Sequence, residues 1–135
     1  MKINLIDYGY KNAPKRAHHN DAGADVYSTI DYTLEPFETH RIPLGFGLNL
    51  PDGLVAFVMP RSSLSSKGIS CEMAPIDSGY TGEVHAIIVN NTKEPYTISE
   101  DDRVGQLVVF PTIIASFETV EQPERGNNAF GSTGK

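Results

Sequence analysis

Cysteine is almost absent from this chain, because Cys71 is the only one among its 135 residues. No disulfide can therefore form within the chain, and the default position of a lone thiol is a buried or half-buried one. A nucleophilic thiol would need an activating base beside it, and the sequence offers no evident one. We therefore predict a buried or half-buried thiol without a nucleophilic role.

Long apolar runs are also missing, since no stretch approaches the roughly 20 residues that cross a membrane. Residues 1–12, MKINLIDYGYKN, have neither the apolar run nor the cleavage-like site of a secretory signal. A chain of this length is expected to form one domain that buries roughly two thirds of its unfolded surface. These features predict a soluble, cytoplasmic protein with no membrane partner.

Basic residues are outnumbered, with 11 lysines and arginines against 17 acids and a formal net charge of −6. This balance argues against a protein that binds nucleic acid through a basic face, so nucleic acid is not predicted as a partner. Any phosphate site must be local. Three of the five arginines, Arg61, Arg103 and Arg125, lie in polar or Gly- and Ser-containing segments, which favours convergence on a compact anion.

No long segment has helical periodicity, and the alternation typical of β-strands takes its place. Residues 41–50 carry an apolar side chain at every second position, which predicts one half-buried strand. Residues 26–34 repeat this pattern with one gap, at Ser28.

Further short runs are β-branched or aromatic and are typical of well-buried strands: residues 54–59, 84–89 and 104–110. Nine prolines and twelve glycines punctuate the chain. Together these features predict an all-β fold, an antiparallel sandwich or jelly roll with little helix. Residues 99–107 are the one place where a short helical turn is expected, with Ser99 as its N-terminal cap.

The composition changes after Phe117. We predict a jelly-roll catalytic domain over residues 1–117 and a flexible C-terminal arm over residues 118–135, because the second segment has little core-forming content. A frayed tail is the alternative. The arm nevertheless carries groups suited to an anion and a base, namely a guanidinium, an aromatic ring, two hydroxyls and several glycines. Such an arm is able to close over a bound nucleotide.

Residues 74–83, APIDSGYTGE, place the carboxylate of Asp77 on a Gly-containing turn, with the ring of Tyr80 three residues later and a strand directly after. An acid at the mouth of a sheet, beside a ring that can pack on a sugar, suits water activation next to a nucleotide. Ordinary turn residues are the alternative interpretation.

Two other segments carry anion- or cation-binding groups. Residues 60–68, PRSSLSSKG, offer four serines, Arg61 and Lys67 after a strand, as a phosphate loop or as a solvated serine-rich loop. Asp21 and Asp25 lie at a strand entrance, where they either cap a turn or help to hold a hydrated Mg²⁺. His18 and its neighbour His19 lack metal-ligand spacing and are interpreted as loop residues.

Taken together, five segments resemble the five motifs of the all-β trimeric dUTP pyrophosphatases (dUTPases), in order and separation: DAGADVYS, PRSSLSSKG, APIDSGYTGE, DDRVGQL and RGNNAFGSTG. The resemblance covers residues 21–134. It implies a distorted jelly roll of the β-clip type and hydrolysis of dUTP to dUMP and pyrophosphate. It also implies Mg²⁺ as cofactor and a homotrimer with shared active sites.

The resemblance also implies a role for each matched residue. Asp77 corresponds to the acid that orients and deprotonates the attacking water, and Tyr80 to the ring that packs on deoxyribose and excludes a 2′-hydroxyl. Asp25 corresponds to the acid linked to the metal through water, the metal being held mainly by the triphosphate. The residues implied in triphosphate and arm contacts are Arg61, Ser62, Ser63, Gln106, Arg125, Phe130, Ser132 and Thr133.

Uracil is expected to be read by backbone groups of a hairpin near residues 70–76, which includes Cys71, Ala74 and Ile76. Departures from the usual family pattern include Ala74, which stands where glycine is usual before the catalytic acid, and Asp101, which also replaces a usual glycine.

Two other functions stay open. A dCTP deaminase shares this fold and an RSS loop, but its catalytic glutamate would fall at the position of Ile87. A regulatory module that binds nucleotide or protein on the same scaffold is the third hypothesis.

Overall fold

The computed structural model describes residues 1–124. Their elements, in chain order, are β1 (Asn4–Asp7), β2 (Ala24–Tyr27), β3 (Tyr32–Leu34), β4 (Thr39–Pro43), β5 (Phe46–Asn49), β6 (Leu54–Met59), α1 (Ser62–Ser65), β7 (Ile69–Glu72), β8 (His85–Asn90), β9 (Tyr96–Ile98) and β10 (Arg103–Pro111). One four-residue helix is therefore the sole helix of the described part, and the predicted all-β fold class is confirmed.

The strands form two three-stranded sheets and two strand pairs, all antiparallel. The first sheet has the order β2-β10-β6 and the second β4-β8-β7, while β1 pairs with β5 and β3 with β9. Sequence neighbours are often not sheet neighbours, as expected for a jelly roll. This connectivity brings distant segments of the chain onto common sheet faces.

The core follows from the alternation along the strands. In β8 the inward residues Ala86 and Ile88 are fully buried, and their outward neighbours are half-buried. Two polar side chains are also buried, and both are hydrogen-bonded as burial requires. Ser28 Oγ donates to the Ile30 carbonyl at 2.6 Å, and Asn90 Nδ2 donates to the Glu94 carbonyl at 2.7 Å.

The prediction of one strand over residues 41–50 is wrong, because the alternation hides a break between β4 and β5. Gly45 lies in the break and has a φ of 83°. Its backbone N–H donates a hydrogen bond to the Glu83 carboxylate at 2.9 Å. A Cβ at this glycine would approach the Tyr10 backbone to 2.8 Å. The residues on both sides still face the core, which is why the alternation continues through the break.

The predicted helical turn in residues 99–107 is also wrong. Residues 100 and 101 form a tight turn and Arg103 already begins β10. The Asp102 carboxylate accepts the backbone N–H of Ser99 at 2.9 Å and so closes the turn. The helix occurs instead inside the serine-rich segment, as α1, where only Leu64 is buried.

The backbone of Asp101 has a φ of 73°, in the left-handed region. Glycine adopts this conformation without strain, which accounts for the glycine expected here from the family pattern. Its carboxylate accepts a hydrogen bond from Asn12 Nδ2 at 2.9 Å, which ties the N-terminal loop to this turn.

We expect Asp101→Val to destabilise the fold by about 1–2 kcal/mol, because a β-branched residue tolerates this backbone poorly. Asp101→Gly should stay within about 1 kcal/mol of the parent. Urea unfolding of both variants checks this, and equal stability of the two would contradict it.

The chain after β10 has no strand or helix up to Glu124 and exposes several large apolar side chains: Ile113, Ile114, Phe117 and Val120. The predicted boundary at residue 117 therefore falls inside this extended segment. Most of the predicted arm, from residue 125 onward, lies outside the described residues. Within residues 1–124 no helix has the length and apolar character needed to cross a membrane.

Candidate active site

Asp77 and Tyr80 occupy one compact turn between β7 and β8. The Tyr80 N–H donates to the Asp77 carbonyl at 3.0 Å, which closes the turn. The Tyr80 hydroxyl donates to the Glu83 carbonyl at 2.8 Å, so the ring is held at both its backbone and its tip. A Cβ at Gly82 would lie 2.7 Å from that hydroxyl, so only glycine leaves room for the ring in this position.

The Tyr80 ring borders a cavity of about 180 Å³. Ala74 and Ile76, two of the three residues predicted in the uracil hairpin, line the same cavity. Ile76 is fixed by a two-hydrogen-bond bridge to Ala56 of β6, with N···O distances of 2.8 and 3.1 Å. The cavity thus lies against the ring expected to contact the sugar.

Cys71, the third hairpin residue, lies in β7 and turns its thiol into the core. Burial raises its pKa to about 11, and the thiol lies 3.6 Å from the Val58 carbonyl. The thiol is therefore protonated at neutral pH, as expected for a structural cysteine rather than a nucleophile. In the sheet Cys71 stands opposite Ile88 of β8.

The Asp77 side chain lies on the other side of Pro75, in a shallow crevice beside Val55 and Phe57 of β6. Thr112 and Ile114, directly after β10, complete the crevice. Asp77 is exposed in the single chain. A carboxylate in this position is open to solvent and to a second molecule.

A separate polar cluster forms where β2, β10 and the segment before α1 meet. The Asp25 carboxylate lies 3.9 Å from Arg61 Nε and 3.7 Å from Arg103 Nη1. Gln106 stands opposite Asp25 in the sheet, and its Nε2 donates to the Pro60 carbonyl at 3.0 Å. One carboxylate therefore lies at ion-pair distance from two guanidiniums without a hydrogen bond to either, and the amide fixes the start of the serine-rich segment.

The groove next to this cluster has a volume of about 290 Å³ and is lined by Arg61, Ser63, Lys67 and Arg103, among others. Ser62 and Ser63 begin α1 and are exposed. Asp101 and Asp102 line the same groove, so its three cationic groups exceed its carboxylates by one. A hydroxyl and a small excess of cations on one surface suit a polyphosphate. Asp21 does not join this group, because its carboxylate accepts the His18 backbone N–H at 2.9 Å in a separate loop.

The structure thus brings the predicted residues together as two groups. Tyr80, Ala74 and Ile76 share one cavity, with Asp77 beside it; the polar cluster gathers Asp25, Arg61, Ser63, Arg103 and Gln106. Among the described residues no hydrogen bond or ion pair joins Asp77 or Tyr80 to that cluster. Four of the predicted site residues lie outside the described residues: Arg125, Phe130, Ser132 and Thr133.

Three residues of the cavity were not found from the sequence: Arg41, Glu72 and His85. Arg41 and His85 lie outside every motif-like segment, and Glu72 lies within the predicted hairpin of residues 70–76 but was not singled out there. The alternation of buried and less buried residues along β4 and β8 could have identified Arg41 and His85 as outward-facing. Only the pairing of the two strands shows that these side chains lie next to each other.

Comparisons with known proteins agree with the five motifs. The dUTPase family model matches residues 9–134. The chain is 42% identical over 131 residues to the deoxyuridine 5′-triphosphate nucleotidohydrolase of Leifsonia xyli subsp. xyli, with 92% of this chain and 86% of that protein covered. It is 43% identical over 128 residues to the enzyme of the same name from Cutibacterium acnes, with 90% and 84% covered.

Solved structures agree as well. A mutant dUTPase of S. aureus phage phi11, whose structure concerns coordination of a structural Mg(II) ion, has a TM-score of 0.85 and 27% identity, with 93% of this chain and 100% of that chain covered. A dUTPase mutant of Staphylococcus bacteriophage 80alpha with dUpNHpp has a TM-score of 0.81 and 27% identity, with 99% of both chains covered. The family match, the sequence identities and the shared fold together show that this chain belongs to the dUTPase family.

Proposed function

We propose that this protein is a dUTP diphosphatase, which hydrolyses dUTP to dUMP and pyrophosphate. One observation carries the proposal. Asp77 and Tyr80 share a single hydrogen-bonded turn whose ring borders a cavity of about 180 Å³, in a chain 42% identical to a dUTP nucleotidohydrolase over nearly its whole length. The turn joins an acid to a ring that borders a cavity, and Pro75 separates the acid from that cavity. An acid and a ring positioned by one turn are what this reaction needs.

In the proposed reaction, water attacks the α-phosphorus in line with the bond to the departing pyrophosphate. The new bond forms between the water oxygen and phosphorus, the bond to the bridging oxygen breaks, and the water proton passes to Asp77. The exposed Asp77 carboxylate is able to take this role because no described cation or hydroxyl occupies it. Orientation of the water supplies much of the acceleration.

Tyr80 excludes ribonucleotides by volume, since its ring is anchored at the hydroxyl by the Glu83 carbonyl and cannot swing aside freely. Backbone groups of the hairpin near residues 70–76 read the base, Ile76 contributing only its position because its N–H and C=O are both paired with Ala56. Arg61, Ser62, Ser63 and Gln106 hold the triphosphate, and the arm residues Arg125, Phe130, Ser132 and Thr133 close over it.

The donor set fits Mg²⁺ bound mainly by the substrate. Among the described residues no group of three or more His, Cys, Asp or Glu side chains is placed to hold a metal ion. Asp25 is a single carboxylate beside the phosphate-binding cations, which suits a contact through water to an ion that keeps several waters. When bound, the ion offsets the negative charge that develops on the phosphates.

The separation of the two groups of residues supports the further proposal of a homotrimer with shared active sites. One chain supplies the Asp77 turn and another the polar cluster, with the arm of a third closing over the ligand. The exposed apolar side chains Ile113, Ile114 and Phe117 support an assembly in which a neighbouring copy covers them. A cytoplasmic location is part of the same proposal.

The test is a pyrophosphate-release screen of dUTP, dCTP, dTTP and UTP, with Mg²⁺ and then with a chelator. We expect release from dUTP at least about a hundredfold faster than from the others, and a large loss on chelation. Ammonia release from dCTP is measured in parallel, because Glu72 and Glu83 also line the cavity although Ile87 occupies the deaminase position. Release of ammonia without pyrophosphate would show that the protein is a deaminase instead. No product from any of the four nucleotides would favour a regulatory module that binds without catalysis.

A further inference from the structure

The wall of the cavity beside Tyr80 carries two opposite charges that no motif accounts for. In the sheet, Arg41 of β4 and Glu72 of β7 both stand directly opposite Ile87 of β8, one on each side. Residues directly opposite in neighbouring strands share a face, so the three side chains form one row across the sheet. All three line the cavity together with Tyr80 and Ile76.

Neither charge is neutralised by a described partner. Arg41 and Glu72 take part in no ion pair with N···O below 4 Å among residues 1–124, although only one strand separates them. The Arg41 guanidinium has one near polar neighbour, His85 Nδ1, at 3.5 Å from Nη2. His85 Nδ1 also lies 3.2 Å from the Glu83 carbonyl. Donors and an acceptor thus remain open toward the cavity.

We propose that Arg41 and Glu72 are specificity-determining residues that read the base of the nucleotide, with Ile87 between them as an apolar floor. This inference rests on the proposed function. The Watson–Crick edge of uracil presents an acceptor at O4 next to a donor at N3. A guanidinium on one side of Ile87 and a carboxylate on the other complement that pair, with Arg41 donating to O4 and Glu72 accepting from N3–H.

Cytosine inverts both contacts. Its amino group at position 4 would face the guanidinium as donor against donor, and its unprotonated N3 would face the carboxylate as acceptor against acceptor. Arg41 and Glu72 are exposed in the single chain, so the penalty arises only when a bound base covers them. An inverted edge then opposes like groups, and it is rejected more strongly than an edge that merely lacks a group. The backbone of the hairpin and these side chains would then act together against dCTP.

The experiment compares Arg41→Met and Glu72→Gln with the parent protein. Methionine keeps most of the length of the arginine stem but has no donor, and glutamine removes the charge of Glu72 at nearly constant shape. We expect each change to raise KM for dUTP about tenfold with kcat changed less than about threefold, because the base is bound but not reacting. The ratio of kcat/KM for dUTP over dCTP should fall at least about tenfold.

Lys93→Met, at an exposed cation outside the cavity, is the matched control and should change neither the KM for dUTP nor this ratio.

Calorimetry with dUpNHpp measures nucleotide affinity, and the melting temperature measures stability. Together they distinguish a variant that binds the base more weakly from one that is less well folded. Weaker binding of the two variants with unchanged melting temperature supports the inference. An unchanged KM and an unchanged dUTP-to-dCTP ratio in both variants would overturn it while leaving dUTP hydrolysis intact. Absence of pyrophosphate release by the parent protein from every nucleotide would overturn the proposed function itself.

Discussion

Asp77→Asn is expected to reduce kcat for dUTP by about 10²–10⁴-fold while leaving nucleotide affinity nearly unchanged. Asparagine has almost the same shape as aspartate, but its amide cannot accept the proton of the attacking water. The turn should survive, because it is closed by the backbone carbonyl of Asp77 and not by its side chain. Single-turnover pyrophosphate release measures the loss, and calorimetry with dUpNHpp measures the affinity.

Asp52→Asn is the matched control. Asp52 is an exposed acid whose Oδ1 accepts a hydrogen bond from Ser78 Oγ at 3.2 Å, so it lies close to the same turn. Removing its charge changes the local field without touching the proposed base. We expect turnover within about twofold of the parent. Equal losses in the two variants would show that general negative charge, not a base at Asp77, supports the reaction.

Much of the fold was predictable because strand alternation reports burial directly. The run over residues 54–59 coincides with β6, and that over residues 104–110 lies within β10. The break at Gly45 was missed because the inward-facing residues keep their period on both sides of it. The helix α1 was missed because four residues carry no apolar stripe, and it buries only Leu64.

The site was only partly predictable for a different reason. Motif-like segments identify groups that are close in sequence, such as Asp77 and Tyr80. Arg41 and Glu72 are 31 positions apart and become neighbours of Ile87 only through the pairing of β4 and β7 with β8. That register depends on the whole jelly roll and has no local signature. The division of the site between two surfaces of one chain likewise emerges only from the fold.

Gly23→Ala should lower kcat/KM for dUTP by about a hundredfold through a residue that does not itself contact substrate. A Cβ at Gly23 would lie 2.1 Å from Gln106 Oε1 and 2.8 Å from its Cδ, so the carboxamide would have to move. Gln106 holds the Pro60 carbonyl, directly before Arg61, so its displacement disturbs two proposed triphosphate contacts at once. Misplacement of such groups by about 1 Å is costly for a reaction that depends on orientation.

Gly79→Ala is the control, because a Cβ there would meet no heavy atom within 4 Å, although this glycine is the direct neighbour of Tyr80. Neither Gly23 nor Gly79 has a positive φ, so backbone strain does not distinguish them.

The double variant Gly23→Ala/Gln106→Ala completes a double-mutant cycle with the two single variants. If Gly23 acts by making room for the Gln106 carboxamide, the double variant should be nearly as active as Gln106→Ala alone, since the contacts of 2.1 and 2.8 Å are gone and only the 3.0 Å contact with the Gln106 Cβ remains. Full additivity of the two losses would show that Gly23 acts through some other part of the structure.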